Sequence, residues 1–219
     1  MRLYNEDCLE VMDKLPKGIV NCVMTSPPYN VSRKATDEYN RKYDVFVDVK
    51  TDEEYIDWSI EIFNKIDKLL GKNGVVLYNM SYSSEKPWLM NIVISDIIRN
   101  TNFTLADTIV WKKKTAIPNN RSSNKLTRIC EFVFVLCRKE ELKTFQCNKE
   151  VVSTIEKTGQ KNYGNIYNFV EAKNNDGSNK LNKATYSTEL CTKLLSQYCK
   201  SGDIVLDPFN GTGTTGGVL

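Results

Sequence analysis

The chain contains no histidine. Without an imidazole there can be no Ser-His-Asp triad, no Cys-His pair and no histidine general base. Its chemistry has to run on carboxylates, hydroxyls, backbone groups or a cofactor. Seven cysteines are present, at positions 8, 22, 130, 137, 147, 191 and 199, and no two form a C-x-x-C pair. The odd count and irregular spacing argue against a disulfide framework and a metal cluster. Several fall in apolar runs, where cysteine serves as a small core residue, so a reducing, cytoplasmic compartment is expected. There is no apolar run of about 18 residues, so no membrane span is expected. Residues 1–7 lack the apolar centre of a signal peptide. No repeat or coiled-coil pattern is present.

The 219 residues suit a single domain with room for a small insertion. Such a chain buries about 70% of its unfolded surface. Net charge is only +3, yet basic residues cluster. Lys112, Lys113, Lys114, Arg121, Lys125 and Arg128 crowd one stretch; Arg33, Lys34, Arg41 and Lys42 crowd another. Clusters of this kind are commonly solvated surface, but beside a cleft they suit a polyanion.

The most distinctive stretch is Thr25-Ser26-Pro27-Pro28-Tyr29, which follows the β-branched apolar run 19–24. That run reads as a buried strand. Two prolines in succession donate no backbone hydrogen bond and hold φ near −65°, and each pushes the residue before it to extended geometry. The product is a stiff elbow at the C-terminal end of a strand, where open α/β sheets bind ligands. It can present the Ser26 hydroxyl, bare carbonyls and the Tyr29 ring in a fixed arrangement. Taken alone, the pentapeptide is equally a Pro-Pro turn with a surface tyrosine.

Leu3-Tyr4 is the candidate for a short first strand. Asp7 stands where an N-cap should, with Glu10 three residues on, and capping is one sufficient reason for it. Residues 30–50 form a polar loop longer than compact domains usually need. Thr51 and Glu54 make a capping box for a helix bearing Tyr55, Trp58, Ile62, Ile66 and Leu69, which is expected to end near Gly71. Residues 75–78 read as a second buried strand, and Pro87 opens a further helix. Residues 103–111 and 129–137 read as strands joined without a helix, hence an antiparallel pair at one edge. Residues 139–182 are polar and read as an accessory insertion. A helix over 187–200 with Gly202 beyond it precedes a last strand at 203–206. Strands separated by helices predict an α/β domain with a mostly parallel sheet.

That last strand runs into Asp207-Pro208-Phe209-Asn210-Gly211-Thr212-Gly213-Thr214-Thr215-Gly216. The G-x-G-x-x-G pattern permits a tight turn and close approach of backbone to ligand. The dinucleotide reading needs an acidic residue about 20 positions on, and the sequence stops at Leu219. The P-loop reading needs Gly-Lys-Ser/Thr, and Gly216-Gly217-Val218 stands there instead. A plain glycine-rich turn is the alternative.

Together, the early Ser-Pro-Pro-Tyr and the late Asp-Pro-Phe-x-Gly-x-Gly-Thr-Thr resemble the amino-methylating DNA methyltransferases. The motif order is similar to that of their β group, and the resemblance covers nearly the whole chain. It implies a Rossmann-like methyltransferase sheet, mostly parallel with an antiparallel edge pair, circularly permuted. It divides the chain into a first core part (1–138), a target-recognition insertion (139–182) and a cofactor-binding part (183–219). The activity implied is transfer of a methyl group from S-adenosylmethionine to N4 of cytosine or N6 of adenine in double-stranded DNA, as in restriction-modification. The resemblance assigns cofactor binding to Asp7 with Cys8, to Thr185, and to Asp207, Phe209, Gly211, Gly213, Thr214 and Thr215. It assigns catalysis to Ser26, Pro27, Pro28 and Tyr29: Ser26 and the Pro27 carbonyl accept from the target amine, and Tyr29 stacks on a flipped base. DNA contacts are expected from Arg33, Lys34, Arg41, Lys112, Lys113, Arg121 and Arg128. The Pro-Cys nucleophile of carbon-5 cytosine methylation is absent.

Family members continue past the glycine turn through a helix and a strand ending in a ribose-gripping acid, and they often carry His-Pro where Asn182-Lys183 stands here. A truncated or split enzyme is therefore expected, completed by a homodimer partner or a second chain. Two rivals are a non-catalytic DNA-binding remnant and an RNA-base or protein-amide methyltransferase.

Overall fold

The structure is a computed structural model. It describes residues 1–30, 50–83, 86–115, 122–177 and 185–219. Among these, five α-helices are present: α1 (Cys8–Lys14), α2 (Asp52–Leu69), α3 (Leu89–Asn100), α4 (Thr188–Tyr198) and α5 (Thr214–Val218). The strands are β1 (Val20–Thr25), β2 (Leu70–Met80), β3 (Phe103–Lys113), β4 (Cys130–Arg138), β5 (Val151–Thr154), β6 (Lys161–Tyr163), β7 (Phe169–Ala172) and β8 (Val205–Leu206).

Six strands form one sheet in the order β7-β3-β4-β2-β1-β8. β1 pairs parallel with both β2 and β8, and β3 pairs parallel with β7. Only β4 runs against its neighbours, β2 and β3. Alternation along the central strands loads both faces, as a sheet covered on both sides requires. Val23, Val76, Tyr78, Phe134 and Leu136 join α2 and α3 in one core. Cys22, Met24, Val75, Leu77, Val133 and Val135 join α4 in the other. The result has three layers, and its α/β class with a mostly parallel sheet is the one expected from the sequence. Phe63 sits at the heart of the first core, edge-on to both Tyr78 (5.1 Å) and Phe103 (5.3 Å).

The expected antiparallel pair is present as β3 and β4, one strand in from the edge. β7 lies outside β3 and buries Val170 and Ala172. It comes from the stretch 139–182, where four residues of Phe-Val-Glu-Ala are too few to stand out among polar neighbours. The rest of that stretch includes the hairpin of β5 and β6, exposed at every residue.

β3 carries a bulge between Leu105 and Asp107. An extra residue reverses which side chains face which side. Phe103 therefore packs in the first core, whereas Ile109 and Trp111, of the same parity, pack in the second. Helix α2 also departs from expectation. It passes into β2 at Leu70 with no glycine cap. Arg138 closes its end instead, donating to the carbonyls of Asp67 (2.7 Å), Leu70 (2.6 Å) and Gly71 (3.1 Å) and pairing with the Asp67 carboxylate (2.6 Å). A cation at a helix C-terminus satisfies both orphan carbonyls and the dipole. The chains approach closely at Gly71, where a Cβ would lie 3.1 Å from the Gly18 carbonyl oxygen. The expected Leu3-Tyr4 strand does not form: both residues are exposed and neither pairs. Pro87 precedes α3 in a turn, and the helix starts at Leu89.

Candidate active site

β1 and β8 are parallel neighbours, with Cys22 opposite Val205 and Val23 opposite Leu206. Their C-terminal ends therefore emerge side by side, which brings the proline elbow against the glycine turn. Thr25, fully buried at the end of β1, donates from Oγ1 to Asp207 Oδ1 at 2.6 Å. Asp207 accepts three more bonds: Phe209 N on the same oxygen (3.0 Å), and Thr215 Oγ1 (2.6 Å) and the Tyr186 hydroxyl (3.0 Å) on Oδ2. One carboxylate thus ties together β1, the turn after β8, the start of α5 and the segment before α4. Burial pushes its pKa above the usual aspartate value, against the pull of these donors. Burial, and then the Asp207 charge, push the Tyr186 phenol far up. The same two causes raise the Cys191 thiol to about 12, which leaves it inert.

Beyond Asp207 the chain turns on Gly211 (φ 50°) and Gly213 (φ 85°), both left-handed, so the turn needs glycine at these two positions. Gly213 N donates to the Asn210 carbonyl at 2.7 Å. A Cβ at Gly216 would strike the Met1 thioether. Thr214 and Thr215 begin α5. Phe209 packs on Trp58 of α2 at 5.3 Å, and Phe209, Trp58, Cys8 and Leu9 border the same core. Asp7 caps α1, accepting from Leu9 N at 2.8 Å, with its side chain exposed. Burial and the Asp7 charge raise the Cys8 thiol to about 11, so Cys8 offers this surface a neutral thiol. Thr185 is half-buried beside Tyr186.

In the elbow, Pro27 and Pro28 are buried and Ser26 and Tyr29 half-buried. The Tyr55 hydroxyl of α2 donates to the Pro28 carbonyl at 2.6 Å and fixes the bend. Asn30 follows in the left-handed region (φ 50°) and bonds both backbone groups of Lys50. Ser26 Oγ lies 3.0 Å from the Tyr29 hydroxyl. That hydroxyl also donates toward Asn79 Oδ1 (3.3 Å) and Glu131 Oε2 (3.4 Å).

Asn79, Glu131, Tyr55 and Tyr186 are site residues that sequence reasoning missed. A signal existed for two of them, since Asn79 and Glu131 are polar residues directly beside the apolar runs 75–78 and 132–137. Arg33, Lys34, Arg41 and Arg121 lie outside the described residues. The basic run 112–114 is engaged at home: Lys112 pairs with Glu171 (2.6 Å), Lys113 with Glu131 (2.5 Å) and Lys114 with Glu189 (2.7 Å). Arg128 lies over the Tyr82 ring at 5.0 Å and donates to the Tyr82 carbonyl.

A mostly parallel α/β sheet with an elbow and a glycine turn at adjacent strand ends is the frame of a Rossmann-like methyltransferase. Residues 20–219 match the DNA methylase family of N6 and N4 methyltransferases, and the chain belongs to that family. It is 23% identical to the type II methyltransferase M.BglII of Bacillus subtilis over 237 residues, covering 99% of this chain and 61% of that protein. The chain thus spans less than two thirds of the length of that relative. Its fold is similar to that of PvuII DNA methyltransferase (cytosine-N4-specific), with TM-score 0.70 and 21% identity, over 98% of this chain and 76% of the other. It also resembles M1.HpyAVI in complex with S-adenosylmethionine, with TM-score 0.61 and 22% identity, over 98% and 85%.

Proposed function

We propose that this chain transfers a methyl group from S-adenosylmethionine to the exocyclic amino nitrogen of cytosine or adenine in duplex DNA. The observation that carries the reading is the Thr25–Asp207 bond, which sets the acceptor-bearing elbow beside the glycine turn. The chain's groups fit the cofactor. Asp207 has both oxygens filled by the chain's own donors, so its work is to shape the turn whose side-chain-free backbone at Gly211 and Gly213 faces the ligand. Phe209 and Thr214 belong to that turn and the helix it opens, Thr185 precedes the Tyr186 that bonds Asp207, and the Asp7 carboxylate is exposed at the start of α1; these would hold the remaining parts. When bound, S-adenosylmethionine supplies an electrophilic methyl group.

The target amine is a poor nucleophile, because its lone pair is delocalised into the ring. Ser26 Oγ and the Pro27 carbonyl accept from the amine hydrogens, favour a pyramidal nitrogen and stabilise the positive charge that develops there. Holding that nitrogen beside the turn supplies proximity, and no covalent intermediate is required: the nitrogen would gain the methyl group as S-adenosylhomocysteine leaves, and would give up one hydrogen to solvent. The target base has to leave the duplex, and the Tyr29 ring offers it a stacking face. The elbow preceding the glycine turn supports the permuted, β-group order. The exposed hairpin of β5 and β6 supports residues 139–182 as the target-reading segment. All seven cysteines are free, which fits a reducing compartment; among the described residues no helix is long and apolar enough to cross a membrane.

The test is to incubate the chain with labelled S-adenosylmethionine and random-sequence duplex DNA, RNA or peptide, then digest and identify the product by mass spectrometry. N4-methylcytosine or N6-methyladenine from DNA supports the reading. Label in RNA or peptide alone, or nowhere, refutes it.

A further inference from the structure

Glu131 is a charge set into an apolar strand. Val133 and Val135, its neighbours on β4, are fully buried, and its own side chain is 13% exposed. A carboxylate so placed is costly unless both oxygens are used. They are used: Oε1 accepts from Lys113 Nζ at 2.5 Å and Oε2 from the Tyr29 hydroxyl at 3.4 Å. Lys113 is held in turn over the Trp111 ring, 5.2 Å from its centroid. Asn79 is oriented by its amide NH2, which donates to the Phe132 carbonyl at 3.1 Å and turns Oδ1 toward Tyr29.

The phenol has one proton. Ionised Glu131 and Asn79 Oδ1, at 3.4 and 3.3 Å, can only accept, whereas the Ser26 hydroxyl can donate or accept. Two groups that can only accept, against one that can do either, favour a Tyr29 proton turned away from Ser26. The Ser26–Tyr29 bond at 3.0 Å then has one direction, with Ser26 donating and Tyr29 accepting. Resting on the amino-methylation reading, we propose that the Glu131–Lys113 pair is a positioning unit. It sets the direction of the Tyr29–Ser26 hydrogen bonds so that Ser26 Oγ meets the target amine with lone pairs only. Glutamine at 131 would break this order. Its NH2 can donate to Tyr29, releasing the phenol proton toward Ser26 and turning the serine proton onto the amine.

The test uses the full chain with S-adenosylmethionine and duplex DNA, comparing Glu131→Gln, Tyr29→Phe, their double variant and Lys113→Met. Glu131→Gln is expected to lower kcat at least tenfold while KM for S-adenosylmethionine and the melting temperature stay near wild type. The double variant should lose little beyond the single ones, as coupled groups do. Lys113→Met should lose kcat in the same sense. Unchanged kcat, or a loss that follows KM and melting temperature instead, overturns the proposal. A second arm needs no turnover: 3,5-difluorotyrosine at position 29 is titrated by fluorine NMR. A neighbouring carboxylate disfavours the phenolate, so Glu131→Gln should lower the pKa at position 29, and an unmoved titration overturns the proposal. A wild-type chain that methylates no nucleobase defeats the methyltransferase reading, and the fluorine arm still decides whether Glu131 governs Tyr29.

Discussion

Thr25 Oγ1 donates to Asp207 Oδ1 at 2.6 Å, across 182 positions of sequence. The parallel pairing of β1 with β8 makes the bond possible. It turns two separate motifs into one site. Thr25→Val keeps the shape of the side chain and removes the donor. A desolvated carboxylate left short of one partner costs about 1–3 kcal/mol. The expected outcome is a lower melting temperature and weaker S-adenosylmethionine binding, read by thermal unfolding and calorimetry. Unchanged values in both would show that the bond is incidental.

Phe63 is completely buried between Tyr78 and Phe103. Phe63→Ala should cost about 3–5 kcal/mol, from lost transfer energy and a cavity. Urea unfolding reads this directly, and a loss under about 1 kcal/mol would mean that the core had collapsed around the site.

Glu189 accepts from Lys114, Lys173 N and Lys193, and these donors hold its carboxyl down at about 2, well below the ordinary 4.5. Lys112, and more weakly Lys114 and Lys193, lower Glu171 too. A depressed folded-state pKa contributes stability that is present above the unfolded value and lost as pH falls through the folded one. Between pH 4.5 and about 2 the unfolded chain binds more protons at Glu189, and Glu171 acts in the same direction, so stability should fall with acid across that window. Glu189→Gln should flatten the fall, and high salt should weaken it because these pairs are exposed. An identical pH slope in the variant would remove Glu189 from the account.

Lys112, Lys113 and Lys114 each face a different glutamate. Each phosphate contact adds about 0.9 to the slope of log binding constant against log salt. Replacing Lys112 and Lys114 by methionine should therefore change that slope by less than about 1. A drop near 2 would show that both lysines leave their glutamates for phosphate.

The elbow, the glycine turn, the Asp7 cap and the Thr51–Glu54 capping box were legible in the sequence because each is a local pattern with its own chemistry. The contacts of the elbow were not. Glu131 reaches Tyr29 only because β4 pairs with β2 in a register that puts Phe132 opposite Met80 and Val133 opposite Asn79. No local signal states that register. Gly71 was read as a helix cap, yet its use is the close approach to Gly18, and Arg138, 67 positions away, does the capping. The lysine run read as a phosphate surface because its glutamates, at 131, 171 and 189, lie far along the chain. β7 was hidden for a related reason: four residues carry too little periodicity to mark a strand that is held by its partner.

The most direct test of the central claim is calorimetric titration of S-adenosylmethionine into the folded chain and into Asp207→Ala, with circular dichroism confirming that both are folded. One-site binding by the chain, weakened at least tenfold by the substitution, is the result predicted. No binding by the folded chain, or equal binding by both, would contradict the placement of the cofactor at the glycine turn.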